Sequence, residues 1–425
     1  MNYTTYFILI ALIMIVALII SNIRANKKLK LRLIDSFGKI PNQKKYEFES
    51  IGSYHRYKTA NLGNFDAIDN ITWDDLDMDL LFKRINSCLT SVGEEYLYDA
   101  LHSVQSEEDI LLKRESIISY LEQNPEDRLK LQMNLAKAGK YNYNGLVSFI
   151  FNAEAKTLKY DFIYNILTLI PLLCIFLTLV NTQAGILCLI LSSIINGAVY
   201  YSAKSKMERE LSAISYFSSV LQCLHKIFKT KDYEEVPFFS ELKESFIIFK
   251  PLRTKISNIL QKDFSDMAVF AEYIKIIFLT DIRNYNKAMR RILKYTHEFH
   301  ALYKCFGEID TAICVLSFRK SLPFYCSPVF HNENSIGFED IYHPLLSDPV
   351  TNSGKISNNS IITGSNASGK STFIKALALN GILAQTIHTC AAKEFNLRFS
   401  LIITSMAVRD NISTGDSYFI TEIKS

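Results

Sequence analysis

The residues whose types and spacing could do chemistry lie near the end of the chain, in Ser360-Ile-Ile-Thr-Gly-Ser-Asn-Ala-Ser-Gly-Lys-Ser-Thr372. Gly364, four intervening residues (Ser365, Asn366, Ala367, Ser368) and then Gly369-Lys370-Ser371 reproduce the phosphate-loop spacing G-x-x-x-x-G-K-[ST]. The glycines let the backbone curl so that successive N–H groups point at phosphate oxygens. Lys370 adds a positive charge for the β- and γ-phosphates, and the Ser371 hydroxyl is placed to ligate Mg²⁺. A helix opening at Lys370 would aim its positive dipole end at the same anion.

Such a loop works only between a strand that delivers it and a helix that carries it away. The β-rich run Ser360–Thr363 predicts the strand, and the apolar positions Phe373, Ile374, Leu377 and Leu379 predict a helix from Ser371 to about Gln385. Phe399–Thr404 predicts a further strand of the same sheet. From Ser335 onward, turn residues between short apolar runs mark the entrance to an α/β nucleotide domain.

Most of the chain must do something else. Of 425 residues, 48% are hydrophobic, which is high for a soluble protein and points to membrane segments. Tyr6–Ile20, extendable to Ile23, approaches the length that spans a bilayer. Arg24, Lys27, Lys28, Lys30 and Arg32 follow it directly, so the positive-inside rule puts the N-terminus outside and the remainder in the cytoplasm. With no basic residue ahead of the run and no small-residue cleavage site after it, an anchor is expected rather than a cleaved signal. Phe162–Val180 and Ala184–Tyr201 are two more uncharged apolar runs joined by Asn181-Thr-Gln183. Lys156, Lys159, Lys204, Lys206 and Arg209 flank them, which predicts a hairpin with both feet in the cytoplasm.

The rest reads as helical. Residues 33–70 show little periodicity and suggest a linker or small subdomain. Helical periodicity starts near Asp75, with Ser106 as an N-cap for a helix carrying Ile110, Leu111, Ile117, Ile118 and Leu121. It resumes over 203–323, where Lys287, Arg290, Arg291 and Lys294 recur at helical spacing. Those four could meet a phosphate backbone, but a solvated basic face explains them as well, and a net charge of +4 is too small to imply a nucleic-acid partner. Eight scattered cysteines, without C-x-x-C or zinc spacing, read as reduced thiols in a cytosolic setting.

An ordered set of segments resembles the ATPase half of the MutS family of DNA mismatch-repair ATPases. Gly364-Ser-Asn-Ala-Ser-Gly-Lys-Ser371 is similar to the family's G-P-N-M-G-G-K-S loop. Tyr342-His343-Pro344 is similar to its Arg-His-Pro element, and Gly307-Glu-Ile-Asp310 to its last lever helix. Asp410-Asn-Ile-Ser-Thr-Gly-Asp-Ser-Tyr-Phe-Ile-Thr-Glu-Ile423 resembles D-D-L-A-S-G-R-S-T-F-M-V-E-M, the family's signature segment. Thr90-Ser-Val-Gly-Glu-Glu-Tyr-Leu97 resembles the start of its helical core. The resemblance implies ATP and Mg²⁺ as cofactors, with phosphates on Gly364–Thr372, Asn366 beside the γ-phosphate, Ser371 on the metal, and Val350 where the family sets an aromatic against adenine. It also implies a homodimer in which Ser417 and Glu422 of the signature segment reach the partner's nucleotide, and a DNA partner that the residues by themselves do not demand.

The expected architecture is therefore mainly α with transmembrane helices, followed by a partial α/β phosphate-loop domain. Its parts are an anchor and basic flank (1–32), a linker and first part of the helical core (33–160), a transmembrane hairpin (161–202), a helical lever (203–323) and a nucleotide domain (324–425). The family's strand ending in Asp-Glu, which positions water for hydrolysis, has no counterpart before Ser425, so an incomplete ATPase domain is expected and no catalytic residue is assigned. Three functions follow: a membrane-anchored MutS-like ATPase, a non-hydrolysing ATP-binding scaffold or fragment acting through protein partners, and a transporter-type ATPase. The last is disfavoured by three spans without ionisable residues and by the lack of an L-S-G-G-Q-like segment.

Overall fold

The structure, a computed structural model, describes residues 3–42, 45–63, 67–105, 107–141, 145–152, 161–231, 233, 236–256, 266–365 and 368–406. Its centre is the lever helix Thr296–Ser321, in which Phe299, Leu302, Phe306, Ile309, Ile313 and Leu316 are all buried. Helix Ser91–His102 crosses it closely, and two glycines permit the approach. A Cβ on Gly307 would meet Tyr96 Cβ at 2.6 Å, and one on Gly93 would meet Asp310 Oδ2 at 2.3 Å. Asp310 closes the crossing, accepting from Thr90 N at 2.8 Å and Thr90 Oγ1 at 2.6 Å, while Thr90 caps its own helix by accepting from Gly93 N at 3.0 Å. A buried carboxylate is tolerated here because backbone and hydroxyl donors replace its lost water.

Helices Glu108–Gln123, Pro125–Ala138, Glu208–Thr230 and Pro237–Phe249 complete the core around these two. Residues 33–70 are more ordered than their sequence suggests. Phe48–Ile51 and Ser53–Leu62 are helices, and Tyr54 is fully buried with its hydroxyl 2.8 Å from His300 Nε2. Helix Glu108–Gln123 starts after Glu107 without a side-chain cap, and Ser106, the expected cap, lies outside the described residues. On Thr280–Lys294, the expected basic face is divided. Lys287, Arg290 and Lys294 are exposed, but Arg291 turns inward and donates to Ile248 O at 2.6 Å.

Tyr3–Ser36 is one 34-residue helix, tied at its end by buried Leu33 and by Phe37, whose ring lies 4.0 Å from the Arg128 guanidinium. Asp161–Val180 and Thr182–Lys206 form an antiparallel pair, with Asn181 capping the second helix through Ala184 N at 3.1 Å. Phe162–Val180 and Thr182–Ser205 are long and apolar enough to cross a membrane. Their side chains face outward: Leu173 is 66%, Phe176 70% and Leu179 80% exposed.

The C-terminal part builds a small mixed sheet. β1 (Val329–Phe330), β2 (Ser335–Ile341), β3 (Asn352–Ser357) and β4 (Glu394–Leu397) lie in the order β1-β4-β2-β3. Only β1 and β4 run parallel; β2 is antiparallel to both its neighbours. The loop helix Lys370–Ile387 packs this sheet onto the helical core.

Two expected strands are not formed. Ser360–Thr363 is irregular, with Ile361 92% exposed, because no ladder partner for it lies among the described residues. Phe399–Thr404 takes no regular structure, and backbone donors along it bond to side chains. Ser400 N donates to Gln385 Oε1 at 2.7 Å, Thr404 N to Thr72 Oγ1 at 3.0 Å, and Met406 N to Asp75 Oδ2 at 2.8 Å.

Candidate functional site

Within the phosphate-loop segment, Ser368 N donates to Ser365 O at 3.2 Å. Gly369 has φ +88°, a region that L side chains rarely adopt, and it immediately precedes the loop helix. A Cβ at Gly364 would stand 2.9 Å from Ser368 Oγ, a hydroxyl that can turn aside to admit it. Lys370 folds back over the loop, and its Nζ donates to Gly364 O and Ser365 O, each at 2.7 Å. The ammonium is therefore held at the loop by acceptors that an anion can replace or share.

A cleft of 430 Å³ opens beside it, lined by Ser368, Gly369, Lys370 and Thr372 on one side and by Val350, Asp348 and His343 on the other. Val350 thus lines the same space as the loop; it is 81% exposed and aliphatic. Ser371 is exposed in the first turn of the loop helix and does not line the cleft. Asn366 and Ala367, and with them Ser417 and Glu422 of the signature segment, lie outside the described residues.

The structure adds residues that spacing alone did not single out. His343 sits at the cleft, with its Nδ1 accepting from Leu345 N at 3.3 Å. Burial, then the nearby Lys375 ammonium, holds its pKa below the usual histidine value and keeps the ring neutral. Lys375 itself pairs with Asp77 at 2.7 Å, tying the loop helix to the head of helix Met78–Ile85. Asn380, fully buried, donates to Tyr342 O at 3.1 Å and accepts from Ala391 N at 2.5 Å, so one side chain fixes the loop helix to the segment that leaves β2 and to the one that enters β4. The Tyr-His-Pro segment was the one signal that pointed toward His343.

The far end of the loop helix is gripped by charges. Arg114 binds Glu308 through two nitrogens, at 2.5 and 2.9 Å, and also donates to Thr386 O. Arg319 binds Glu115 at 2.8 and 2.6 Å and reaches Thr389 Oγ1 and His388 O, both at 2.8 Å. Although burial alone would raise it, the Glu115 carboxyl is pulled down to about 2 by the hydrogen bonds of Arg319 and His388. No local sequence signal marks this junction, because its members lie some 200 residues apart in the chain and meet only through tertiary packing.

The residues present fit a nucleoside triphosphate: a curled loop, a lysine held at its mouth, a helix N-terminus behind it and a cleft beside it. Comparison with known proteins agrees. Residues 360–425 match MutS domain V. The chain is 32% identical over 144 residues to the human DNA mismatch repair protein Msh3, covering 31% of this chain and 13% of that protein. It is 27% identical over 241 residues to DNA mismatch repair protein MSH3 of Candida glabrata, covering 51% and 23%. It is 26% identical over 152 residues to DNA mismatch repair protein MutS of Leptospira interrogans, covering 33% and 18%. The chain thus spans less than a quarter of the length of each of these relatives. Its C-terminal segment is similar to MutS domain V, and the chain shows distant similarity to the MutS and Msh mismatch-repair proteins.

Proposed function

We propose that this chain is a membrane-anchored MutS-like protein that binds ATP with Mg²⁺ on the cytoplasmic side and relays nucleotide state into its helical core. One observation carries the reading: a phosphate loop of MutS type whose lysine stands at the mouth of a cleft shared with Val350 and His343. Lys370 and the N–H groups of the loop would hold the phosphates, Asn366 the γ-phosphate end, Ser371 the metal, and Val350 the face of the base. ATP supplies a polyanion whose charge differs before and after γ-phosphate loss. The protein's part is to register that difference at Lys370 and carry it along one rigid helix to Thr386, where Arg114 and Glu308 connect it to the lever.

The membrane part rests on Phe162–Val180 and Thr182–Ser205, whose outward apolar surface is far larger than a soluble protein leaves in water. With the basic residues after the first apolar run, it orients the N-terminus outside. A homodimer sharing Ser417 and Glu422 across its nucleotide sites, and DNA as the partner of the helical core, complete the proposal by analogy with the family.

A non-hydrolysing, ATP-gated scaffold is the second reading, favoured by a cleft in which Asp348 is the one carboxylate among the described lining residues. The test is binding of a fluorescent ATP analogue to the full chain in lipid nanodiscs, with and without Mg²⁺, beside phosphate release. Binding that Lys370→Ala abolishes supports the site, and phosphate release separates the two readings. Binding unaffected by Lys370→Ala would overturn both.

A further inference from the structure

Cys326 and Cys390 face each other where the lever helix hands the chain over to the nucleotide segment. They form an antiparallel bridge and exchange both backbone hydrogen bonds, Cys326 N to Cys390 O at 3.0 Å and Cys390 N to Cys326 O at 2.9 Å. A pair bonded in this way holds its Cα atoms about 5.5 Å apart. That is within the roughly 4.4–6.8 Å a disulfide spans. Residues directly opposite each other in such a bridge project their side chains to the same face, so the two sulfurs are neighbours.

The pair is asymmetric. Cys326 is partly exposed, while Cys390 is fully buried. The hydrogen bond from Cys390 holds the Cys326 thiol below its ordinary pKa, and burial pushes Cys390 well above it. One sulfur is thus the accessible nucleophile and the other the protected reserve, the arrangement expected of an attacking and a resolving cysteine. Cys88 and Cys314 supply an internal contrast. Both are buried and out of reach of an oxidant, and the Cys314 thiol is engaged by the backbone, donating to Ile85 O at 3.0 Å.

We propose that Cys326 and Cys390 form a redox-responsive dithiol that a low-molecular-weight disulfide oxidises to an intramolecular disulfide. The Cys326 thiolate attacks one sulfur of the small disulfide, forming a mixed disulfide and expelling one small thiolate. The Cys390 sulfur then attacks Cys326 Sγ, breaks the mixed bond and expels the second small thiolate. Two protein thiols are oxidised, one small disulfide is reduced to two thiols, and the two cysteine protons pass to the leaving thiolates. The linkage would clamp a joint whose neighbours are already functional. Cys390 follows His388 and Thr389, which Arg319 holds, and its own thiol lies 3.7 Å from Asn380 O on the loop helix. Oxidation would lock the exit of the lever helix to the exit of the loop helix. In a reducing compartment such a bond is transient and regulatory.

The experiment titrates the full chain in detergent micelles with glutathione buffers of rising oxidised fraction, blocks free thiols with iodoacetamide and maps tryptic peptides by mass spectrometry. The expected product is a Cys326–Cys390 linked peptide that appears with a single midpoint and disappears with dithiothreitol. Cys390→Ser should instead trap glutathione on Cys326, and Cys326→Ser should leave Cys390 alkylated only after denaturation. Glutathione stable on Cys326 of the unmodified chain without a linked peptide would overturn the proposal. So would both thiols remaining free while Cys188 reacts.

Discussion

Asn196 repairs the helix that Pro171 interrupts. Pro171 lacks the N–H that would bond Leu167 O one turn earlier, and Asn196 Nδ2 on the facing helix donates to that carbonyl at 2.9 Å. The same amide group also donates to Ile277 O at 2.6 Å, so one side chain, 1% exposed, closes two backbone acceptors at the foot of the hairpin. Thr168 does similar work nearby, its hydroxyl lying 3.1 Å from Phe278 O. Where water is scarce, an orphaned carbonyl is costly, and a proline survives only with such a partner.

Asn196→Leu should therefore destabilise the hairpin by about 1–3 kcal/mol for each carbonyl left open. Pro171→Ala restores the helical donor to Leu167 O, so Asn196→Leu should cost less in that background. Thermal unfolding of the full chain in detergent, read by circular dichroism, gives the comparison. An equal loss in both backgrounds would mean that Asn196 acts through packing and not through Leu167 O.

The Arg319–Glu115 junction should behave as a buried ion pair. Arg319 has 2% side-chain exposure, and removing either partner strands the other's charge. Arg319→Met or Glu115→Leu alone should cost about 3–5 kcal/mol, whereas the double replacement should recover a large part of that loss. Additive losses in a denaturation cycle would show that the two side chains do not depend on each other.

Acid should weaken the fold in two stages. Burial, then the neighbouring His55, holds the His102 pKa near 3, so the folded protein keeps this ring neutral while the unfolded chain protonates near 6.5. Its contribution is complete above about pH 6.5 and is lost as pH falls from there toward 3. Glu115, held at about 2, adds a second loss that begins only below the ordinary glutamate value. His102→Gln should reduce the slope of the stability profile between pH 6.5 and 4.5, leaving the part due to His300, which burial holds at about 4, and the steeper region below. A parallel shift of the whole profile would remove His102 as the cause. The ring stacks on Trp73 at 3.5 Å, so indole fluorescence reports the same transition.

What could be read in advance follows a physical division. The phosphate loop, the loop helix and the apolar hairpin are local patterns, and each carries its signal within some twenty residues. Val350 and Lys370 line one cleft, and the place of His343 beside them depends on a turn that only the folded chain defines. The strand expected at Phe399–Thr404 failed for a different reason. Its β-branched apolar run is suited to a strand, yet the side chains of Gln385 and Thr72 take up its backbone donors. The clamp of Arg114, Glu115, Glu308 and Arg319 has no periodicity and no spacing rule, because ion pairs between distant segments leave no trace in a local window.

The loop's glycines separate backbone freedom from space, and this gives the sharpest test of the nucleotide site. At Gly369 a Cβ would meet nothing within 4 Å, so any substitution acts through φ +88° alone. Left-handed backbone costs alanine about 1–2 kcal/mol, and asparagine less, because its side chain bonds locally. Affinity for the proposed ATP ligand should then fall in the order glycine, asparagine, alanine at this position. At Gly364, which has no left-handed φ, an added Cβ meets only the rotatable Ser368 hydroxyl at 2.9 Å, so asparagine should hold no advantage over alanine there. Titrating a fluorescent ATP analogue against the four variants decides the matter. If asparagine and alanine rank alike at both positions, the curled loop is not what binds the phosphates.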